Sequence, residues 1–197
     1  VSSRGVYHFP VEVTKNPWSH DYQASSYDIS CAPWSQIPEE EWKGQEENPF
    51  ILGEFVWTGF DYLGEPFPYD GDFVAKSSYF GIVDLCGFPK DRFYLYRARW
   101  RPEAETLHVL PHWTWPDRVG QKTPVYCYTN YPKAELFVNG KSMGIREKGG
   151  AGRFGKSRLI WKDVVYEPGE IRVVAYSADG GKAAEKTVKT AGEPARL

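Results

Sequence analysis

Only three cysteines, Cys31, Cys86 and Cys127, occur in the chain, and no two are close in sequence. An odd number without C-x-x-C spacing supports neither a disulfide framework nor a zinc site. The four histidines, His8, His20, His108 and His112, show no ligand spacing either. They read as surface or interface residues, and no metal or other cofactor is implied. No apolar stretch has the length of a membrane span, and no signal peptide opens the chain. Lys and Arg never form a run interleaved with aromatics, which argues against a nucleic-acid partner. Position 1 is Val rather than Met, and the ending Gly192-Glu193-Pro194-Ala195-Arg196-Leu197 reads as a linker. The expectation is a segment open at both ends.

What is present is aromatic. Of 197 residues 16% are aromatic, eight of them Trp, within a composition that is 41% hydrophobic and 25% charged. That balance is ordinary for a soluble globular protein. A flat indole matches the C–H face of a pyranose ring, but indoles equally fill cores. The net charge of −2 hides a division. Residues 1–104 carry nine basic against sixteen acidic side chains, and residues 105–197 carry fifteen against ten. The two parts are therefore expected to be units of different character.

Residues 14–35 look irregular. A helix is expected next, with Pro38 in its first turn, Glu39, Glu40 and Glu41 at its positive end, and Pro49 beyond its last turn. The run Phe50-Ile51-Leu52-Gly53-Glu54-Phe55-Val56-Trp57 has strand length and little alternation, which predicts a strand buried on both faces. A loop over 58–78 contains Gly59, Gly64, Pro66, Pro68 and Gly71, and a short strand is expected over Tyr79–Val83. A second helix is expected over residues 90–100, with Phe93, Tyr96 and Trp100 as its apolar stripe. This is the closing stretch of an α/β array, with too few strands to close a sheet alone.

Residues 105–197 instead show short β-type runs between turns: Leu107–Leu110, Pro124–Thr129, Ala134–Val138, Arg158–Val165, Ile171–Tyr176 and Glu185–Lys189. Asn139-Gly140 between Glu135-Leu136-Phe137-Val138 and Lys141-Ser142-Met143 is a strong hairpin signal. Pro168-Gly169 and Asp179-Gly180-Gly181 mark further turns. About seven short strands in this span predict an immunoglobulin-like sandwich.

The segment Gly53-Glu54-Phe55-Val56-Trp57-Thr58-Gly59-Phe60-Asp61-Tyr62-Leu63-Gly64-Glu65-Pro66 resembles the eighth barrel strand and following loop of glycoside hydrolase family 2, most of all the β-galactosidase-type members of Bacteroidetes. Tyr79-Phe80-Gly81-Ile82-Val83-Asp84 and the residues to Asp91 resemble the approach to the last barrel helix. Ser2-Ser3-Arg4-Gly5-Val6-Tyr7 resembles the stretch after the seventh strand. Val109–Pro116 and Glu135–Ser142 resemble the immunoglobulin-like domain that follows the barrel. The resemblance implies the C-terminal part of a TIM (β/α)8 barrel over residues 1–104 and an immunoglobulin-like β-sandwich over 105–197. It implies a retaining glycosidase acting on terminal β-galactosides, with relatives that include glucuronidases and mannosidases. Its two catalytic glutamates match positions upstream of Val1, so no catalytic residue is assigned here. A carbohydrate partner and a periplasmic or extracellular setting follow from the same resemblance, which leaves a homo-oligomer open.

Two substrate-binding candidates remain. Trp57 stands at the C-terminal end of its strand, where barrel enzymes place their sites, and matches a tryptophan that lines the sugar subsite; otherwise it plugs the barrel mouth. Asp61 either bonds a sugar hydroxyl or holds the loop. Glu54, an odd number of positions from Trp57, should face the helices and form an ion pair. Trp113 and Trp115 are expected to dock the sandwich on the barrel or, alternatively, to present a sugar platform. That alternative belongs to a second hypothesis for the whole chain, a non-catalytic structural or carbohydrate-binding module.

Overall fold

The computed structural model describes residues 7–8, 14–15, 24–25, 27–31, 34–65 and 76–193. The expected features at Ser2–Val6, His20, Pro66, Pro68, Gly71 and Pro194–Leu197 lie outside these residues. The chain separates into two compact units, with the division between Arg97 and Ala98.

In the first unit, β1 (Tyr7–His8) pairs in parallel with β3 (Ala24–Ser25), and β2 (Thr14–Lys15) with β4 (Ser30–Cys31). The stretch expected to be irregular thus contributes short parallel pairs. Helix α1 spans Pro38–Glu47. Proline costs nothing at its first position, where the N–H has no intrahelical acceptor, and the three glutamates face the positive end of the dipole. The Asn48 side-chain amide closes the helix by donating to the Gly44 carbonyl at 2.7 Å. Helix α2 spans Asp91–Trp100. Its inward residues are Leu95 and Tyr96, whereas Trp100 is largely exposed, so the expected stripe of Phe93, Tyr96 and Trp100 is rotated. The cause is local packing. Tyr96 meets buried Trp42 of α1 edge-on at 5.7 Å, and Arg92, one turn earlier, pairs with Asp28 at 2.9 Å.

Residues 50–57 form no strand. Their backbone finds no ladder partner among the described residues, and Leu52, Phe55 and Trp57 are 103%, 105% and 75% exposed. The expectation of burial on both faces is corrected: an apolar run specifies what it would pack against, and does not supply it. The piece over 79–83 likewise makes only isolated bridges, from Val83 to Phe60 and to Pro89.

The second unit is an antiparallel β-sandwich. Strands β5 (Leu107–Leu110), β6 (Val125–Thr129) and β9 (Arg158–Trp161) form one sheet in the order β5-β6-β9. Strands β7 (Lys133–Val138), β8 (Lys141–Glu147), β10 (Glu170–Tyr176) and β11 (Lys182–Lys189) form the other, in the order β11-β10-β7-β8. Seven strands in two sheets match the immunoglobulin-like layout expected for this part. β7 shows why the sequence folds so: its residues alternate between half-buried and buried, and Ala134, Leu136 and Val138 enter the core. The Asn139-Gly140 turn has φ of 47° and 81°, the left-handed pair that a two-residue hairpin requires. Asn139 also accepts from the Glu170 N–H at 2.8 Å and donates to the Pro168 carbonyl at 3.1 Å, pinning a second turn to the first.

Trp113 is fully buried in the sandwich's own core, with its N–H on the Glu167 carbonyl at 3.0 Å and its ring 4.9 Å from Tyr166. Trp115 packs at the rim of the same core and stacks on His112 at 3.9 Å. The expected docking or sugar-platform role of Trp113 is therefore replaced by a core role. β8 is bulged at Gly144, and the Trp161 indole N–H donates to the Gly144 carbonyl at 2.8 Å. Arg146 donates to the Ile160 carbonyl at 3.1 Å, so side chains tie β8 to β9 where the two sheets meet. The opposite edge strand, β11, exposes Lys182, Lys186 and Lys189.

Burial pushes the Cys127 thiol up to about 12. The unfolded thiol ionises near 8.5. Between those values the unfolded state has lost a proton that the native state keeps, so stability falls as pH rises. Lys148, close by, has its pKa lowered by burial and acts with the opposite sign. Guanidinium midpoints measured from pH 8 to 10.5 should therefore fall more steeply for the natural protein than for Cys127→Ala. Equal slopes would assign the alkaline loss to another group.

Candidate functional site

The segment that enters the site is extended, with side chains alternating across it. Glu54, Val56 and Thr58 are half-buried, whereas Phe55 and Trp57 are exposed. This is the period of two of an extended chain, so the parity argument separating Glu54 from Trp57 holds. The Trp57–Thr58 peptide bond is cis. Beyond it the backbone is laced to residues 80–83: the Ile82 N–H donates to the Thr58 carbonyl at 3.0 Å, Val83 to Gly59 at 3.1 Å, and Asp61 to Val83 at 2.9 Å. Ser78 continues the lacing, donating its N–H to the Tyr62 carbonyl at 2.8 Å and accepting from the Tyr62 N–H at 3.1 Å.

Trp57 and Asp61 have different surroundings. The Trp57 indole is open to solvent, meets Tyr62 edge-on at 5.9 Å, and donates its N–H to the Tyr62 hydroxyl at 3.3 Å. Tyr62 in turn donates to the Glu65 carboxylate, and this bond raises the pKa of the phenol. Asp61 is buried, at 8% exposure. It accepts the Gly81 N–H at 2.7 Å and pairs with the Lys90 ammonium at 2.7 and 2.8 Å. Gly81 is required there, because a Cβ would lie 2.1 Å from the Asp61 nitrogen and 2.4 Å from the Phe60 carbonyl carbon.

Glu54 faces α1, as its position predicts, but among the described residues its neighbours there are Gln45, Trp42 and Glu41 and include no cation. Removal from water raises its pKa and nearby Glu41 adds to the rise, while Gln45 and Trp42 offset part of it. The expected ion pair is corrected to a desolvated carboxyl beside a second acid. Each described carboxylate of this region is thus engaged or turned away: Glu54 toward α1, Asp61 on Lys90, Glu65 on Tyr62.

Tyr62, Gly81 and Lys90 were not singled out from the sequence. Gly81 and Lys90 lie 20 and 29 positions from Asp61, beyond the reach of any periodicity argument. All three lie in the two segments that carry the family resemblance, but nothing in either segment says that the two meet. The arrangement offers an open aromatic face with polar groups beside it, the usual composition of a small-molecule subsite.

Residues 120–184 match the family model described as a domain of unknown function, DUF4982. Over 99% of its length the chain is 42% identical to the beta-galactosidase BoGH2A of Bacteroides ovatus, of which it covers 23%. A solved beta-glycosidase from Bacteroides vulgatus superposes on 88% of the chain with a TM-score of 0.74 and 34% identity, and 20% of that structure is covered. A glycosyl hydrolase family 2 member from Bacteroides cellulosilyticus superposes on 79% with a TM-score of 0.66 and 29% identity, with 24% of its length covered. The chain therefore spans about a quarter or less of the length of these proteins. Sequence and fold are thus both matched, over most of this chain, to a segment of enzymes of one kind, and the chain is similar to that part of glycoside hydrolase family 2.

Proposed function

We propose that this chain is part of a retaining glycoside hydrolase that cleaves terminal β-galactosides, and that Trp57 contacts the sugar. The observation that carries the reading is the open Trp57 indole, held by Tyr62 at the end of an extended segment. An aromatic face of this kind stacks on a pyranose ring and excludes water beside the oxocarbenium-like transition state. Retaining cleavage needs two carboxyl groups about 5–5.5 Å apart, one as acid/base and one as nucleophile. With Glu54, Asp61 and Glu65 engaged as described, both are proposed to lie outside these 197 residues. In this reading residues 1–104 complete a (β/α)8 barrel. The parallel pairs, the order helix, extended segment, loop, helix, and the exposed apolar side chains over 50–57 support it.

Of the two roles open to Asp61, its bonds to Gly81 and Lys90 support that of holding the loop. The competing hypothesis of a non-catalytic module gripping polysaccharide loses one of its two indoles, since Trp113 is inside the core.

The test is Trp57→Ala in the full-length enzyme. Aromatic stacking on nucleic-acid bases, taken as a scale, is worth ~1–3 kcal/mol. This corresponds to a fall in kcat/KM of about tenfold to a hundredfold. Because the indole moves no proton, a slow substrate should still trap a covalent glycosyl-enzyme. Residues 1–197 alone should release a chromophore from an aryl β-galactoside at the buffer rate. A folded Trp57→Ala enzyme with parent kinetics would remove the indole from the site.

A further inference from the structure

Resting on the glycosidase reading, we propose that Lys90 is a positioning residue that sets the Trp57 indole through Asp61 and Tyr62. Lys90 occupies the position just before α2, and its backbone N–H donates to the Ile82 carbonyl at 2.9 Å. Its ammonium reaches back to both Asp61 oxygens and to the Tyr79 carbonyl at 3.4 Å. Asp61 is the one acidic side chain in the 58–65 loop that is buried. A carboxylate so placed keeps its charge only if a cation and hydrogen-bond donors face it. Lys90 and the Gly81 N–H supply these.

The link to the sugar site runs through consecutive residues. Asp61 is fixed by its own N–H on Val83 and by its carboxylate on Gly81 and Lys90. Tyr62 follows directly, and its hydroxyl is the acceptor for the Trp57 indole N–H. Removing the Lys90 ammonium leaves the buried Asp61 carboxylate without its cation, and the side chain turns toward water. Turning toward water shifts Tyr62, and with it the indole it orients. Lys90 touches no substrate in this scheme, so its effect should appear as misplacement of the aromatic face.

The experiment is a kinetic cycle on the full-length enzyme with an aryl β-galactoside. Lys90→Met should lower kcat/KM about tenfold, mainly through KM, because the displaced group binds sugar and moves no proton. Lys90→Arg, which keeps charge and reach, should recover most of that loss. In an Asp61→Asn background, Lys90→Met should add less than about twofold, since the pathway runs through the carboxylate. The double variant also leaves no unpaired buried charge, so it reports even where Lys90→Met alone does not fold. Raised KM in the double variant, relative to the parent, supports the proposal. Parent KM and kcat in either folded variant overturn it, as do equal additive losses from the two substitutions. Failure of the unmodified enzyme to cleave any β-galactoside or related glycoside would instead defeat the glycosidase reading itself.

Discussion

Trp161→Ala is expected to remove a large part of the stability of the β-sandwich. The indole is 1% exposed and lies in the core with Trp113, Leu136 and Val173. Truncating a buried Trp to Ala costs about 3–5 kcal/mol, through lost transfer energy and the cavity left behind. Here the Gly144 carbonyl also loses the N–H it accepts, at the one positive-φ residue of β8. A domain of this size is stable by only about 5–15 kcal/mol. Thermal unfolding of the sandwich followed by near-ultraviolet circular dichroism should therefore shift down by more than about 10 °C. Trp161→Phe keeps an aromatic ring and should recover much of the loss. A shift of only a degree or two for the alanine variant would show that the core closes without this side chain.

Gly81→Ala is expected to be nearly as damaging, for a different reason. The added methyl would meet backbone atoms of Asp61, Phe60 and Val83 at 2.1, 2.4 and 2.5 Å. No rotamer relieves a Cβ, so either the 58–61 strip or the 80–83 strip has to move. Both are parts of the framework that carries Trp57. A displacement on the order of 1 Å in a positioning element can cost about a hundredfold in rate. The intact enzyme carrying Gly81→Ala should lose about that much in kcat/KM while its sandwich unfolds at the parent temperature. Activity within about threefold of the parent would mean that the two strips separate without disturbing the indole.

The two units were not equally legible in the sequence. Turn residues and period-two alternation mark the sandwich, because each of its strands pairs within the unit and each turn needs particular φ values. Asn139-Gly140 is the plainest case. The run Phe50–Trp57 is chemically a buried strand, yet pairing depends on neighbours, and none is present among the described residues. Trp113 misled because it lies between β5 and the next element, outside any alternating pattern that would show which way it points. At the candidate site, Trp57 stands out in the sequence as an aromatic closing an apolar run. The Asp61–Lys90–Gly81 cluster was not, since three-dimensional closure over 20 to 29 positions leaves no local trace. Glu54 shows the limit in another way: parity predicted its side correctly, but parity says nothing about whether a cation waits there.

The lysines along β11 and the side-chain ties between β8 and β9 also bear on solubility. A further strand laid against β11 would have to desolvate the charges of Lys182 and Lys189, which pair with Glu185 and Glu170, and of Lys186, and the bulge at Gly144 disturbs the regular edge of β8. Sheet extension from the four-stranded edges is thus opposed at both ends. In a concentrated preparation of this chain, self-association would begin elsewhere, on the exposed Phe50, Leu52, Phe55 and Phe60. The sandwich would be carried into such aggregates as a folded passenger and would not be the surface that seeds them.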